Sequence, residues 1–308
     1  MLTIPRGRRG RRLRTGPGIR PLGHVVLALG LAVGLIGLPP APLANSVEPH
    51  SPPVVPPPIT AQVLAGWTTY FTPSSHNGNG ANIWVPAQTL NGMIVKPGQK
   101  FDFWKALGPI TWERGYRLGG AIVNGRSQEG VALGGGICAA STTLFNAAVR
   151  AGFTINARSP HHYYISRYPV GLDATVSKPS QTMAWTNDTA NPVEIRGTPI
   201  RTGKTGVRFE LWSLPTGRTI TISEPTIRNY HRAVTYYVHT SALRDGTYRR
   251  IEYTVDGFDA WVTRWVRDAN GKVIHHETWF SRYHTMNGTV LVGDHNAPYI
   301  APPRHAPG

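Results

Sequence analysis

Between residues 137 and 151 the apolar positions Ile137, Leu144, Phe145, Ala148 and Val149 recur at helical spacing, with alanines between them and no proline. Gly134-Gly135-Gly136 precede this run and Gly152 closes it, the punctuation expected at helix ends. Elsewhere the apolar positions form short alternations cut by Gly, Pro, Asn and Asp. Residues 59–72, 101–107, 119–123, 154–157, 163–168, 174–176, 182–186, 193–196 and 207–212 each predict a strand, and 74–81 predicts a polar loop. Beyond Leu214-Pro215 the texture changes. Residues 249–253, 258–267 and 272–283 alternate aromatic or β-branched with charged side chains at period two, and Asp256-Gly257 and Asn270-Gly271 between them predict hairpin turns. The expected class is therefore α+β: a largely antiparallel β framework with one main cysteine-bearing helix, followed by a small all-β module.

Composition agrees with short strands and turns, since the 308 residues include 34 Gly and 27 Pro. Charge adds a segment that hydropathy alone does not explain. The chain carries a formal +16, but seven arginines and no acids fall within its first 44 residues, leaving 25 basic against 16 acidic residues. Those arginines directly precede an apolar run at 25–38, which ends at Pro39-Pro40. A basic start, a short apolar stretch and small residues at 41–44 predict a secretory signal or membrane anchor over 1–44. The run is short for a bilayer span of roughly 20 residues. Residues 45–59 read as a proline-rich tether. The expected domains are then 60–214 and 215–297, with 298–308 a disordered tail, and the exported part is expected outside the cytoplasm.

A single cysteine excludes intrachain disulfides and thiolate zinc clusters. Its position is more informative than its number. Cys138 opens the predicted helix, where free backbone N–H groups and the macrodipole favour a thiolate. Three glycines before it permit a tight turn and leave room for a substrate. Downstream stand His161, read in an extended segment, and Asp173, read on the next strand. Cysteine on a helix followed by histidine and aspartate on successive strands is the order in which papain-like and transglutaminase-like folds assemble nucleophile, base and orienter. An alternative stays open: Cys138, followed by Ala139 and Ala140, also suits a small packing residue at a helix–sheet contact. Adjacent histidines at 161–162 and 275–276 point to opposite faces of a strand, so no metal site is expected, and no lysine follows the glycines to hold a nucleotide. No cofactor is expected.

These residues carry a resemblance. Asn82-Ile83, the Pro97-Gly98 to Phe103 element, Gly115-Tyr116, the block from Gly134 to Ala147, Ala151-Gly152, His161, Gly171 with Asp173 to Val176, and Asn187 resemble the VanW-like family over nearly half of the chain. The resemblance implies a bacterial cell-envelope protein. Two positions depart from the family pattern, Ala139 where Gln is usual and Ala157 where Glu is usual; loss of an orienting group at either would imply a weakened or binding-only member. Residues 219–293 resemble the G-five domain of bacterial surface proteins, with Gly246, Gly257, the hairpin at Asn270 to Val273 and the closing Val290 to Gly293. That resemblance implies cell-wall or amino-sugar binding.

Two readings follow. In one, the chain binds cell-wall polymer or a peptidoglycan fragment. In the other, Cys138, His161 and Asp173 are catalytic and transfer or hydrolyse acyl groups of peptidoglycan peptides. Gly135, Gly136, Ser141, Thr142, Arg158, Trp265 and Trp279 are the residues expected to contact substrate. The membrane is an expected partner through residues 1–44 if that segment is uncleaved. Nucleic acid is not, since export argues against it and no recognised motif or basic helix supports it.

Overall fold

The computed structural model describes residues 61–123 and 126–302. The signal or anchor at 1–44, the tether at 45–59 and positions 303–308 of the expected tail lie outside the described residues. Among the described residues no helix is long and apolar enough to cross a membrane.

The first half runs β1 (Gln62–Tyr70), a 3-10 turn (Ser75–Asn77), α1 (Ala81–Leu90), β2 (Met93–Val95), β3 (Lys100–Asp102), α2 (Phe103–Leu107), β4 (Leu118–Val123), β5 (Arg126–Leu133) and α3 (Cys138–Ala151). It continues with β6 (Thr154–Ala157), β7 (Ala184–Thr186), β8 (Val193–Ile200) and β9 (Gly206–Ser213). Three antiparallel sheets result, in the orders β1-β9-β8-β2, β3-β7-β6 and β4-β5. Nearly every residue of α3 is buried, so it is a core helix rather than an amphipathic surface one. Leu144, Phe145, Ala148 and Val149 join Phe153, just after the helix, and Trp185, Phe209 and Leu211 of the surrounding strands in one cluster.

The second half is all β: β10 (Thr219–Ile222), β11 (Thr226–His231), β12 (Thr235–Thr240), β13 (Tyr248–Glu252), β14 (Gly257–Arg267), β15 (Val273–Tyr283) and β16 (Gly288–Gly293). β14 pairs with β10 and β11 on one edge and β15 on the other, while β16 lies between β12 and β13. The β12–β16 pair is parallel, an exception in an otherwise antiparallel protein. Val262 of β14 joins the main core, and Trp279 of β15 packs edge-on against Phe145 of α3 at 5.9 Å between ring centres. Arg264 is fully buried and donates to Val149 O and Phe153 O, both at 2.9 Å. It thereby satisfies carbonyls at the C-terminal end of α3, where a cation also complements the helix dipole. At the far end of the chain Ile300 N–H donates to Thr240 Oγ1.

One helix is unforeseen, and four expectations need correction. Residues 81–90 form a helix although Pro86 sits inside it; Pro86 is itself buried with Asn82, Ile83, Ala87 and Leu90, so packing of that face outweighs the lost backbone bond. Only Phe101 and Asp102 of the expected strand at 101–107 are extended, as part of β3, because the Asp102 side chain accepts from Lys105 N–H and caps α2. Neither 163–168 nor 174–176 is a strand. The first turns back on itself, with Tyr168 N–H on Ile165 O and Tyr164 OH on Tyr168 O. In the second, Ala174 N–H donates to Thr142 Oγ1 of α3 and Ala174 O accepts from the same hydroxyl, so the segment is tied to the helix rather than to a neighbouring strand. Lastly, Asp256-Gly257 is no hairpin turn: β13 pairs with β16, so this dipeptide carries the chain between two sheets. Asn270-Gly271 does join β14 to β15.

Candidate active site

The start of α3 is held by polar contacts from the preceding segments. Asn82 of α1 donates to Arg117 O at 2.8 Å and to Gly135 O at 2.7 Å, and accepts from Arg117 N–H at 2.8 Å. The glycines themselves serve chain packing. A Cβ on Gly135 would lie 2.4 Å from the Gly119 carbonyl carbon, and one on Gly136, whose φ is +95°, would lie 2.8 Å from Asn77 Cβ. The space at these positions is therefore filled by the protein's own chain, although both glycines border the groove described below.

Cys138 is half-buried at the first position of α3. Its Sγ lies 3.4 Å from Thr175 Oγ1, 3.5 Å from Val176 N and 3.6 Å from Val176 O. Thr142, one turn further along α3, fixes that strip through Ala174, so Thr142 positions Thr175 and Val176 and is fully buried away from solvent. Ser141 is also fully buried.

His161 and Asp173 occupy loops, not the strands expected for them. Both are buried, and Asp173 Oδ2 accepts from the His161 backbone N–H and meets His161 Nδ1, each at 2.6 Å. This contact assigns the proton to Nδ1 and leaves Nε2 for chemistry. Nε2 is buried with no hydrogen-bond partner among the described atoms, and the ring stacks on Tyr168 at 5.3 Å. The imidazole and the Cys138 thiol are close enough for each to shift the other's proton affinity. Burial alone would raise the thiol, but the neighbouring His161 imidazole, with Thr175 and the Val176 N–H, outweighs it and brings Cys138 below its usual value. Burial alone would likewise lower His161; Asp173 and Cys138 overcome it and hold the imidazole at about 9. Asp173 is held down at about 2 against its own desolvation, by His161, Arg158 and Tyr283. The balance moves towards a thiolate–imidazolium pair.

Asp173 is clamped from two sides. Arg158 Nη2 reaches Asp173 Oδ1 at 2.8 Å, Ser281 Oγ at 2.8 Å and Gly171 O at 3.1 Å, while its Nε donates to Asp173 O at 2.6 Å. Tyr283 OH donates to Asp173 Oδ1 at 2.6 Å and accepts from Gly171 N–H at 3.0 Å. Arg158 is only 4% exposed and thus fixes Asp173 rather than offering a charge to a ligand. Tyr283 and Ser281 carried no signal at the level of motif, because they enter the site only through tertiary contact, whereas Thr175 lies in the Asp173–Val176 motif without a role readable there.

Cys138 and His161 open on a groove of about 2240 Å³, bordered by residues of both halves, including Phe71, Trp104, Tyr164, Tyr230 and Tyr253. Trp265 and Trp279 do not border it. Trp265 stacks on His276 at 5.2 Å, and Trp279 is committed to Phe145. Ala139 is wholly buried in the core, so the departure from the family pattern at that position removes no groove-facing group. Among the described residues no group of three His, Cys, Asp or Glu side chains is arranged to hold a metal ion.

Residues 78–212 match the family described as VanW like protein. The protein of Bacillus subtilis (strain 168) named Uncharacterized protein YoaR is 38% identical over 138 residues, covering 45% of this chain and 45% of that protein. Vancomycin B-type resistance protein VanW of Enterococcus faecalis (strain ATCC 700802 / V583) is 32% identical over 115 residues, covering 35% of this chain and 40% of that protein. The matched segment thus spans less than half the length of these curated relatives. Among solved structures, the G5 domain of an IgA1 protease aligns over 25% of this chain and 92% of its own, with 14% identity and a TM-score of 0.17. Cys138, His161 and Asp173 all fall within the segment, residues 78–212, that is similar to the VanW-like family.

Proposed function

We propose that the VanW-like domain is a cysteine-dependent acyl transferase or hydrolase of the cell envelope, acting on amide bonds of peptidoglycan-related material. The observation that carries this reading is the buried His161 with Nδ1 on Asp173 and Nε2 unpartnered beside the half-buried Cys138, at the mouth of an open groove. The thiolate sulfur attacks the amide carbonyl, forming a C–S bond. On collapse of the tetrahedral intermediate the C–N bond breaks, and the leaving nitrogen takes the proton from His161 Nε2. Water or a second amine then resolves the thioester, giving its proton to His161. Asp173 holds the tautomer throughout, and Arg158 and Tyr283 hold Asp173. In the first turn of α3 the Ala139 and Ala140 N–H groups are engaged by Gly136 O and Ile137 O, which leaves the Cys138 N–H as the oxyanion donor.

The envelope setting rests on the basic and apolar character of residues 1–38, read as an export or anchor signal. The name of the enterococcal relative, a vancomycin resistance protein, is compatible with it. The competing reading, a wall-binding domain in which Cys138 only packs, draws on the contact of that thiol with the core cluster.

The deciding experiment is the rate of iodoacetamide alkylation against pH, read by intact mass on the single cysteine. An activated thiolate gives an inflection well below the free-thiol value of about 8.5, and His161→Ala moves it upward. A thiol that reacts only above that value, or only on unfolding, leaves wall binding as the function.

A further inference from the structure

The groove around Cys138 carries unpaired positive charge close to the triad. Lys178 lies two residues beyond Val176, whose N–H contacts Cys138 Sγ, and its ammonium sits 5.1 Å over the Trp104 ring. Arg167 directly precedes Tyr168, the ring stacked on His161, and its guanidinium lies 5.8 Å from that same ring. Each cation therefore belongs to a residue one or two positions from a group that touches the triad. Both side chains are exposed and border the groove. Among the described ion pairs neither has a carboxylate partner, whereas Arg282, also on the groove, is neutralised by Asp259 at 2.9 Å. The one acid among the described lining residues, Asp256, is engaged by Tyr230 OH and by Ala233 N–H at 2.7 Å. Asp173, beneath the floor, belongs to Arg158 and His161.

A concave surface of one sign, with low-dielectric walls, raises the local concentration of ligands of the opposite sign. Aromatic rings beneath the two cations hold them over the groove while leaving their outer hydrogens for a ligand. We propose that the groove selects an anionic acyl donor, a chain bearing carboxylates on both sides of the amide to be cleaved, with Arg167 and Lys178 as the specificity-determining residues. The proposal rests on Cys138 being the nucleophile.

The test uses two small alkylating probes on the full chain at neutral pH and low salt, iodoacetate and iodoacetamide, which differ chiefly in charge. The expected result is that Arg167→Gln with Lys178→Gln lowers the ratio of the iodoacetate rate to the iodoacetamide rate by about tenfold, the order expected from losing two nearby charges. Raising the ionic strength should lower the wild-type ratio towards the value of the double variant, since both cations are exposed. The charge-conserving pair Arg167→Lys and Lys178→Arg should keep the wild-type ratio, which separates charge from disturbed folding. A ratio that is the same in the wild type and the Gln variant overturns the anionic-donor proposal while an activated thiol leaves the acyl-transfer reading standing. A thiol inert to both probes until high pH overturns both.

Discussion

The Tyr283 hydroxyl donates to Asp173 Oδ1 at 2.6 Å across 110 residues of sequence, so the last residue of β15 completes the support of a site built in the other half of the chain. Tyr283 is a positioning residue: it touches the carboxylate that orients His161. Tyr283→Phe removes one hydrogen bond to a buried charge and strands the Gly171 N–H, a loss of about 1.5–3 kcal/mol. It also removes a contact that fixes the orientation of the Asp173 carboxylate towards the imidazolium. Chemical denaturation should show the loss, and the alkylation inflection of Cys138 should move to higher pH. An unmoved inflection would restrict Tyr283 to a purely structural role.

Stability should fall on both sides of a plateau. Asp173 sits at about 2 in the folded protein against an ordinary 3.8, so the unfolded chain binds its proton more readily. Its stabilisation is complete above its ordinary value and is lost as pH falls towards 2. His161 sits at about 9 against 6.5, so its stabilisation is complete below 6.5 and is lost as pH rises through 9. Urea midpoints measured from pH 2 to 10 should therefore be highest between about 4 and 6.5. His161→Gln should flatten the alkaline limb; an alkaline limb that persists in this variant would assign it to another group.

Arg264→Ala should be among the most damaging single changes outside the site. It leaves Val149 O and Phe153 O without their donor and Glu277 without its partner at 2.7 Å. Breaking a buried charged contact of this kind costs about 3–5 kcal/mol. The midpoint of urea unfolding measures it, and a change under 1 kcal/mol would mean that water or a neighbour replaces the guanidinium.

Gly135→Ala tests whether the glycine turn is shaped by chain packing. The added methyl would stand 2.4 Å from the Gly119 carbonyl carbon, so either the turn before α3 or β4 must move. A destabilisation of about 2 kcal/mol or more is expected, together with altered alkylation of Cys138. Near-normal stability would show that the turn has freedom to shift.

Trp279→Ala separates packing from ligand contact. The indole packs on Phe145 and lies beneath Arg264, 5.2 Å from its guanidinium. Truncation should cost about 3–5 kcal/mol. Binding of the folded protein to peptidoglycan should keep its affinity, because the ring lies away from the groove; a selective loss of binding at normal stability would return Trp279 to the ligand surface.

The core helix was legible because an apolar run flanked by glycines is a local property, and so was the Asn270-Gly271 hairpin. Residues 163–168 misled for an instructive reason. Their tyrosines read as strand alternation, yet Tyr164 packs against Phe258 and Tyr283, and Tyr168 against His161. The rings are there to enclose a polar site, and ring packing leaves no mark distinguishing it from a pleated surface. Helix α1 was hidden by Pro86, whose local cost is visible in sequence while the burial that offsets it is not.

By itself the sequence determined where the core helix and the Asn270-Gly271 hairpin form, that one thiol stands at a helix start, and that histidine and aspartate follow it in order, because periodicity, turn chemistry and chain order are local. Only the tertiary structure decided which of the twelve histidines meets that thiol, and that Asp173 is held by Arg158 from one half and Tyr283 from the other. The reason is physical: a buried carboxylate must collect its hydrogen bonds from whatever the packed backbone brings within 3 Å or so, and residues more than a hundred positions apart reach that distance only through the fold.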